Sequence, residues 1–346
     1  MRRCVLEHFP TVNSSLVPIR VAAIGVSHWH SLWDSAYLRH LAGMPDAELV
    51  GLHDPSAEVA AKRAAVLGQP PTFTDYQEML EATRPDFVIA LGPHRTMAEV
   101  ALHLLDRGYP FLMEKPMGIN AAEVERVAEK AAATGGFAAV PLIQRYHPFV
   151  VRARRLLAEG RFGTLSHIYF RLNRPTSARY PGWDAPWMLD PAETGGGCLR
   201  NLGPHGLDVF LYLTGEAAEV TGAQLSSRAL GQRVEDYASV LVRSAGGVLG
   251  TIEVGNMFPR DGTDGEWKVS GRDALLVLKE DTLRLITADG EETAPAKPAE
   301  PLARTALREA LDHWRQGAAP PISVHDCLRA VRLIDRAYEL AGRPRG

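Results

Sequence analysis

Four groups of residues in this 346-residue chain have the types and spacing to do chemistry. The first is Glu114-Lys115-Pro116, just after a short apolar run. An ammonium there stabilises negative charge developing on an oxygen, and Pro116 fixes the turn that aims it. The second is the segment from Gly195-Gly196-Gly197 to His205 and Asp208. Its consecutive glycines let a chain pass close to a ligand. Asn201 and His205 stand four apart and share a face if the segment is helical. A histidine near a hydroxyl can take its proton. The third is the turn Gly25-Val26-Ser27-His28-Trp29-His30, which keeps only the first glycine of the dinucleotide pattern G-x-G-x-x-G. The fourth is Asp54, 29 residues beyond Gly25, where a carboxylate can accept both adenosine ribose hydroxyls and repel a 2′-phosphate. Each has a plain alternative: a surface lysine, a core or capping histidine, an unrelated strand-to-helix turn, a turn former ahead of Pro55. His28 and His30 have no Cys, Asp or Glu clustered beside them, so no metal site is expected.

The elements that must position these groups follow from periodicity. Strands are expected at Ile19–Ile24, Glu48–Leu52, Phe87–Leu91, Phe111–Met113 and Phe137–Leu142. Helices are expected at about His30–Leu41, Ser56–Leu67, Tyr76–Glu81, Thr96–Arg107 and Ala121–Ala133. This alternation means βαβ units and a doubly wound parallel sheet. In such a sheet ligands bind at the carboxyl ends of the strands, where both Gly25 and Lys115 fall. Beyond residue 143 the rhythm changes. A helix at Pro148–Glu159 and a strand at Leu165–Leu172 precede a loop at Asn173–Glu193 crowded with Arg174, Arg179, Tyr180, Trp183 and Trp187. A helix starts near Pro204, β-type runs fill 219–287, residues 289–301 form a polar connector, and helices at about Leu302–Gln316 and Val324–Ala341 close the chain. The expected fold class is α/β: a Rossmann domain over 19–142, then an α/β domain over 143–346 with an open, mainly antiparallel sheet.

Composition bounds the partners. A net charge of −3 gives no basic excess to condense on nucleic acid. No apolar run is long enough for a membrane helix, and the N-terminus lacks an apolar signal core, so residues 1–18 are read as a tail. Cys4, Cys198 and Cys327 are odd in number and outside CxxC spacing, which fits a reducing cytoplasm without a disulfide framework.

Glu114-Lys115-Pro116 followed by the Gly195–Asp208 motif resembles the glucose–fructose oxidoreductase, inositol dehydrogenase and rhizopine-catabolism (Gfo/Idh/MocA) family, over about residues 19–342. Gln144-Arg145-Tyr146-His147-Pro148 and Val234-Glu235-Asp236 support the resemblance. It implies NAD, with NADP disfavoured by Asp54, and oxidation of a secondary alcohol of a sugar, cyclitol or related small polar substrate. It implies a homodimer or homotetramer built through the second sheet. Lys115 and His205 would be catalytic with Asn201 beside them, and Asn201 stands where the family has a carboxylate. Gly25, Ser27, His28, Trp29, His30, Asp54, Gly92, Pro93, His94, Glu114, Lys115 and Gln144 would hold the cofactor. Arg145, Trp187, Arg200 and Asn201 would meet the substrate. Met97 stands in place of the family's usual histidine. The departures leave two other readings open, a nucleotide-binding regulator without turnover and a NAD-assisted elimination or glycoside cleavage.

Overall fold

The structure is a computed structural model and describes residues 17–342. Cys4 and most of the expected tail lie outside the described residues. The first half runs β1 (Ile19–Ile24), α1 (Tyr37–Ala42), β2 (Ala47–His53), α2 (Ala57–Ala65), β3 (Thr72–Phe73), α3 (Tyr76–Thr83), β4 (Phe87–Ala90), α4 (His94–Asp106), β5 (Phe111–Met113), α5 (Ala121–Thr134) and β6 (Ala138–Ala139). Its strands pair in parallel in the order β3-β2-β1-β4-β5-β6. β1 and β4 are near-continuous apolar runs because helices cover both faces of the sheet. The strand order reverses between β1 and β4, so the crevice outside their carboxyl ends is the ligand-binding switch point.

The second half runs α6 (Pro148–Ala158), β7 (Leu165–Pro175), α7 (Arg179–Gly182), α8 (Pro191–Thr194), α9 (Cys198–Thr214), β8 (Ala218–Ser226), β9 (Tyr237–Ser244), β10 (Leu249–Phe258), β11 (Asp264–Gly271), β12 (Ala274–Lys279), β13 (Thr282–Thr287), β14 (Gly290–Pro295), α10 (Leu302–Arg315) and α11 (Val324–Leu340). Its strands form one sheet in the order β14-β13-β12-β11-β7-β10-β9-β8, antiparallel except for the β7–β10 pair. Phe170, Ile252, Val254 and Val269 bury one face of that sheet against Leu199, Leu207 and Phe210 of α9. The terminal helices return to the first half. Leu307 and Leu311 of α10 join the core that holds Val21 and Ile89, and Val324, Leu328 and Val331 of α11 join the one that holds Ile24 and Val88.

Three elements differ from the sequence expectation. The helix expected at His30–Leu41 is a single 3₁₀ turn, Trp29–Ser31, then an irregular stretch before α1. His28 caps that turn by accepting from the His30 amide at 3.1 Å, and Asp34 and Ala36 adopt left-handed φ of 50° and 46°, which stops a helix. α9 begins at Cys198, six residues ahead of the expected start, with Pro204 inside it. The extra N-terminal turn is held from a distance, because the Glu235 carboxylate accepts the Gly197 and Leu199 amides at 2.8 and 3.0 Å. The polar connector contributes β14, which pairs along β13 through backbone bonds indifferent to side-chain polarity.

Candidate active site

Gly25 leaves β1 at φ +71°, and a Cβ there would lie 2.8 Å from the Gly92 Cα. Only glycine lets the β1 and β4 turns come this close. Asp54 follows β2 and is buried. Its Oδ2 accepts the Ser27 amide at 2.7 Å and its Oδ1 the Ser56 amide at 3.1 Å. Glu114 and Lys115 follow β5, and the Lys115–Pro116 peptide is cis. Burial alone would raise the Glu114 carboxyl, but His30, whose Nδ1 lies 2.7 Å from its Oε1, and Lys115 hold it well below the usual carboxylate range. Lys115 is buried too, which lowers its pKa.

Asn201 and His205 lie one turn apart on α9. Lys115 reaches across from the first half and donates through Nζ to the Asn201 Oδ1 at 2.6 Å and its backbone oxygen at 2.9 Å. Lys115, Asn201 and His205 line one cavity of about 310 Å³ between the two halves, together with Gln144, Arg174 and Tyr180. His205 has no hydrogen-bond partner at its buried Nδ1. Burial first, and the Lys115 ammonium second, push its pKa down to about 3, so the ring is neutral near pH 7. The sequence places a histidine titrating near neutrality here; desolvation and the asparagine in place of a carboxylate remove that behaviour.

The loop between β7 and α9 becomes a strap, residues 176–194, laid over the switch point. Asp184 takes Arg63 of α2 at 3.0 Å, Arg95 donates to the Ala192 carbonyl at 3.0 Å, and Trp183 stacks near-parallel to Trp33. The Trp187 ring sits 5.7 Å from His28 and 5.5 Å from His94, and therefore touches both turns that flank the crevice. Trp29, stacked on His28 at 4.0 Å, packs against Tyr180 and Trp187. His94 is buried, which lowers its pKa to about 3. Its Nδ1 lies 3.1 Å from the Thr194 carbonyl, which can only accept, so Nδ1 carries the hydrogen. The neutral ring is left with a bare, buried Nε2 that has no partner, and the Trp187 Nε1 donor is orphaned as well.

Of the residues expected to hold cofactor, Gly25, Ser27, His28, Asp54, Gly92, Pro93 and His94 gather at the switch point, while Trp29, His30, Lys115 and Gln144 line the cavity. Glu114 is buried behind His30. Three expected substrate contacts are placed elsewhere. Arg145 donates to both Asp208 oxygens at 2.8 and 2.6 Å and to Asp326 at 2.8 Å, so its charge is spent on a junction between α9 and α11. Arg200 pairs with Asp335 at 2.6 Å and lies over the Tyr338 ring. Trp187 lies over the crevice and is not a lining residue of the cavity. The glycine run serves packing against the protein itself: a Cβ at Gly195 would lie 2.1 Å from the Ile119 carbonyl and one at Gly196 would lie 1.9 Å from the Tyr338 hydroxyl. Sequence reasoning missed Asp34, a cavity residue bound to Arg174 at 2.7 Å. Its spacing from any motif carries no signal.

Comparison with known proteins bears on the family and the fold. Residues 19–141 match the family model described as an oxidoreductase family with an NAD-binding Rossmann fold. Residues 150–277 match the model of the GFO/IDH/MocA C-terminal domain. An inositol 2-dehydrogenase of Saccharopolyspora erythraea is 27% identical over 243 residues, covering 68% of this chain and 66% of that protein. The scyllo-inositol 2-dehydrogenase (NAD(+)) of Bacillus subtilis is 27% identical over 228 residues, 63% of each chain. The matched stretch thus spans just under two thirds of these relatives' length. Among solved structures, a levoglucosan dehydrogenase in complex with NADH and levoglucosan superposes with a TM-score of 0.81 at 20% identity, covering 94% of this chain and 97% of that one. That likeness establishes the shared fold.

Proposed function

Because the chain belongs to the Gfo/Idh/MocA oxidoreductase family, we propose that it is a NAD-dependent oxidoreductase acting on a secondary alcohol of a small polar molecule of the sugar or cyclitol kind. The observation that carries this reading is the convergence of Lys115, from the end of β5, and His205, from α9, on one cavity beside the Rossmann switch point. The residues fit a dinucleotide. Gly25 makes the close turn. The Asp54 carboxylate has four acceptor sites, of which two are taken by Ser27 and Ser56, and the remainder suit ribose hydroxyls and repel a 2′-phosphate. The orphaned acceptor at His94 Nε2 calls for a ligand that brings an N–H or O–H to it. A bound nicotinamide supplies the hydride acceptor.

The chain's own residues do the rest. Lys115 spends two N–H bonds on Asn201 and keeps a third for a substrate oxygen. Asn201 thereby holds the ammonium still without neutralising it. As negative charge grows on that oxygen, the fixed ammonium stabilises it in a site that needs no reorganisation. His205 is neutral and accepts a hydroxyl hydrogen bond through whichever nitrogen is bare. Its low basicity makes it an orienting acceptor. Burial lowers the Lys115 pKa, so that side chain can enter the reaction as the amine, its two N–H on Asn201, take the hydroxyl proton on its lone pair as hydride leaves, and become the ammonium that holds the oxygen. The test is a screen of inositols, sugars and sugar acids for NAD reduction, followed by the absorbance of NADH, with the wild type and Lys115→Met. Turnover should fall by roughly 10²–10³-fold in the variant while NAD still binds. Equal turnover by both proteins rejects the reading.

A further inference from the structure

The hydrogen-bond accounting of the cavity says more about its ligand than the volume does. Lys115 can only donate, so the Asn201 atom 2.6 Å from its Nζ is the amide oxygen. That fixes the amide, and its Nδ2 donates to the Tyr180 hydroxyl at 2.9 Å. The Arg179 guanidinium, which also can only donate, places Nη2 3.1 Å from the same oxygen. The phenol oxygen therefore accepts twice, and its own hydrogen must go to a third partner. No acceptor for it is present among the described residues, and Tyr180 lines the cavity. Arg179 adds a second unmet donor, for its buried Nε has no partner. The third N–H of Lys115 is another.

The charges lean the same way. Lys115, Arg174 and Arg179 line the cavity, against the single lining carboxylate of Asp34. Asp34 is already engaged by Arg174 at 2.7 Å. Glu114 is turned away onto His30. A neutral polyol brings one donor for every acceptor; for those donors the wall holds the bare nitrogen of His205 and the amide oxygen of Gln144, neither of them charged, against three cationic side chains. A carboxylate brings up to four acceptor sites and a negative charge. From this donor excess we propose that the substrate is a hydroxy acid, a polyol bearing a carboxylate that takes the Tyr180 and Arg179 donors while its hydroxyl meets Lys115. The proposal rests on the oxidoreductase reading for the reaction, but not for the binding.

The experiment uses pairs that differ only in the carboxylate: D-gluconate against sorbitol, galactarate against galactitol, and D-glucuronate against D-glucose. Their affinities for the full chain are measured by calorimetry, with and without NAD. At least one acid should bind about tenfold or more tightly than its neutral partner, the value of one charge-assisted hydrogen bond. Tyr180→Phe keeps the ring on Trp29 and removes the hydroxyl, and it should narrow that gap, the acid losing more affinity than its neutral partner. Arg174→Gln, at a part-exposed position, removes one of the three cavity cations and frees the Asp34 carboxylate, so it should weaken the acid more than its neutral partner and carries the test should Tyr180→Phe not fold. Neutral polyols binding as tightly as the acids, no acid binding up to tens of millimolar, or a gap that both substitutions leave unchanged each overturn the proposal. Acids that bind but never reduce NAD leave it standing and reject the oxidoreductase reading instead. A neutral polyol that is oxidised in preference to its acid does the reverse.

Discussion

Replacing Trp187 by alanine should make the protein bind NADH more tightly. The ring touches His28 and His94, the residues of the two turns that flank the switch point. A dinucleotide that lies across this crevice must displace it, so the strap's closed position competes with binding. The size of the competition follows from the ring. A tryptophan side chain buries about 200 Å² when enclosed; Trp187 is only partly exposed, and with about half of that area lying against the two turns, about 100 Å² of apolar contact is at stake. At about 25 cal/mol per Å² this is about 2.5 kcal/mol. The apparent dissociation constant scales inversely with the fraction of open molecules, so removing the ring should improve affinity by up to roughly 70-fold. Part of the gain is offset because Trp183, Asp184 and Thr194 still tether the strap to Trp33, Arg63 and His94. The assay is energy transfer from the remaining tryptophans to NADH, checked by calorimetry. An affinity equal to or weaker than that of the wild type refutes the closed-strap argument. Absence of NADH binding in both proteins refutes the cofactor assignment with it.

Other outcomes follow from the same physics. Arg145→Ala leaves Asp208 buried without its bidentate partner, and should cost about 3–5 kcal/mol of stability, read as a lower midpoint in urea with an unchanged slope. His94 folds as the neutral ring with its pKa near 3 against about 6.5 in the unfolded chain. Its contribution to stability is thus full above pH about 6.5 and is lost as the pH falls toward 3, by on the order of 2 kcal/mol at pH 5. His94→Gln should flatten that part of the melting-temperature profile, and an unaltered acid slope would refute the assignment.

Much of the architecture was legible because it is written locally. Strands buried on both faces show as unbroken apolar runs, as in Phe87–Ala90, and their alternation with helical stretches dictates a parallel sheet. The placement of Lys115 at a strand end follows from the same pattern, and the spacing of Asn201 and His205 puts them on one helical face. The early helix was misjudged because residues 30–41 have helical periodicity, while the His28 cap and left-handed Asp34 and Ala36 interrupt it.

What the sequence alone determined is therefore the layer order, the switch point and the candidate groups around it. Those rest on interactions within one turn or one strand, which residue types and spacing specify. The roles of the charged groups were decided only by the tertiary structure. Arg200 meets Asp335 from 135 residues away, and Lys115 meets Asn201 from 86. A guanidinium looks the same in a sequence whether it holds a substrate or a buried carboxylate, and only proximity in the fold selects between them. The strap over the crevice and the donor excess of the cavity have the same origin. Each is a balance of partners drawn from distant segments, and no local pattern records it.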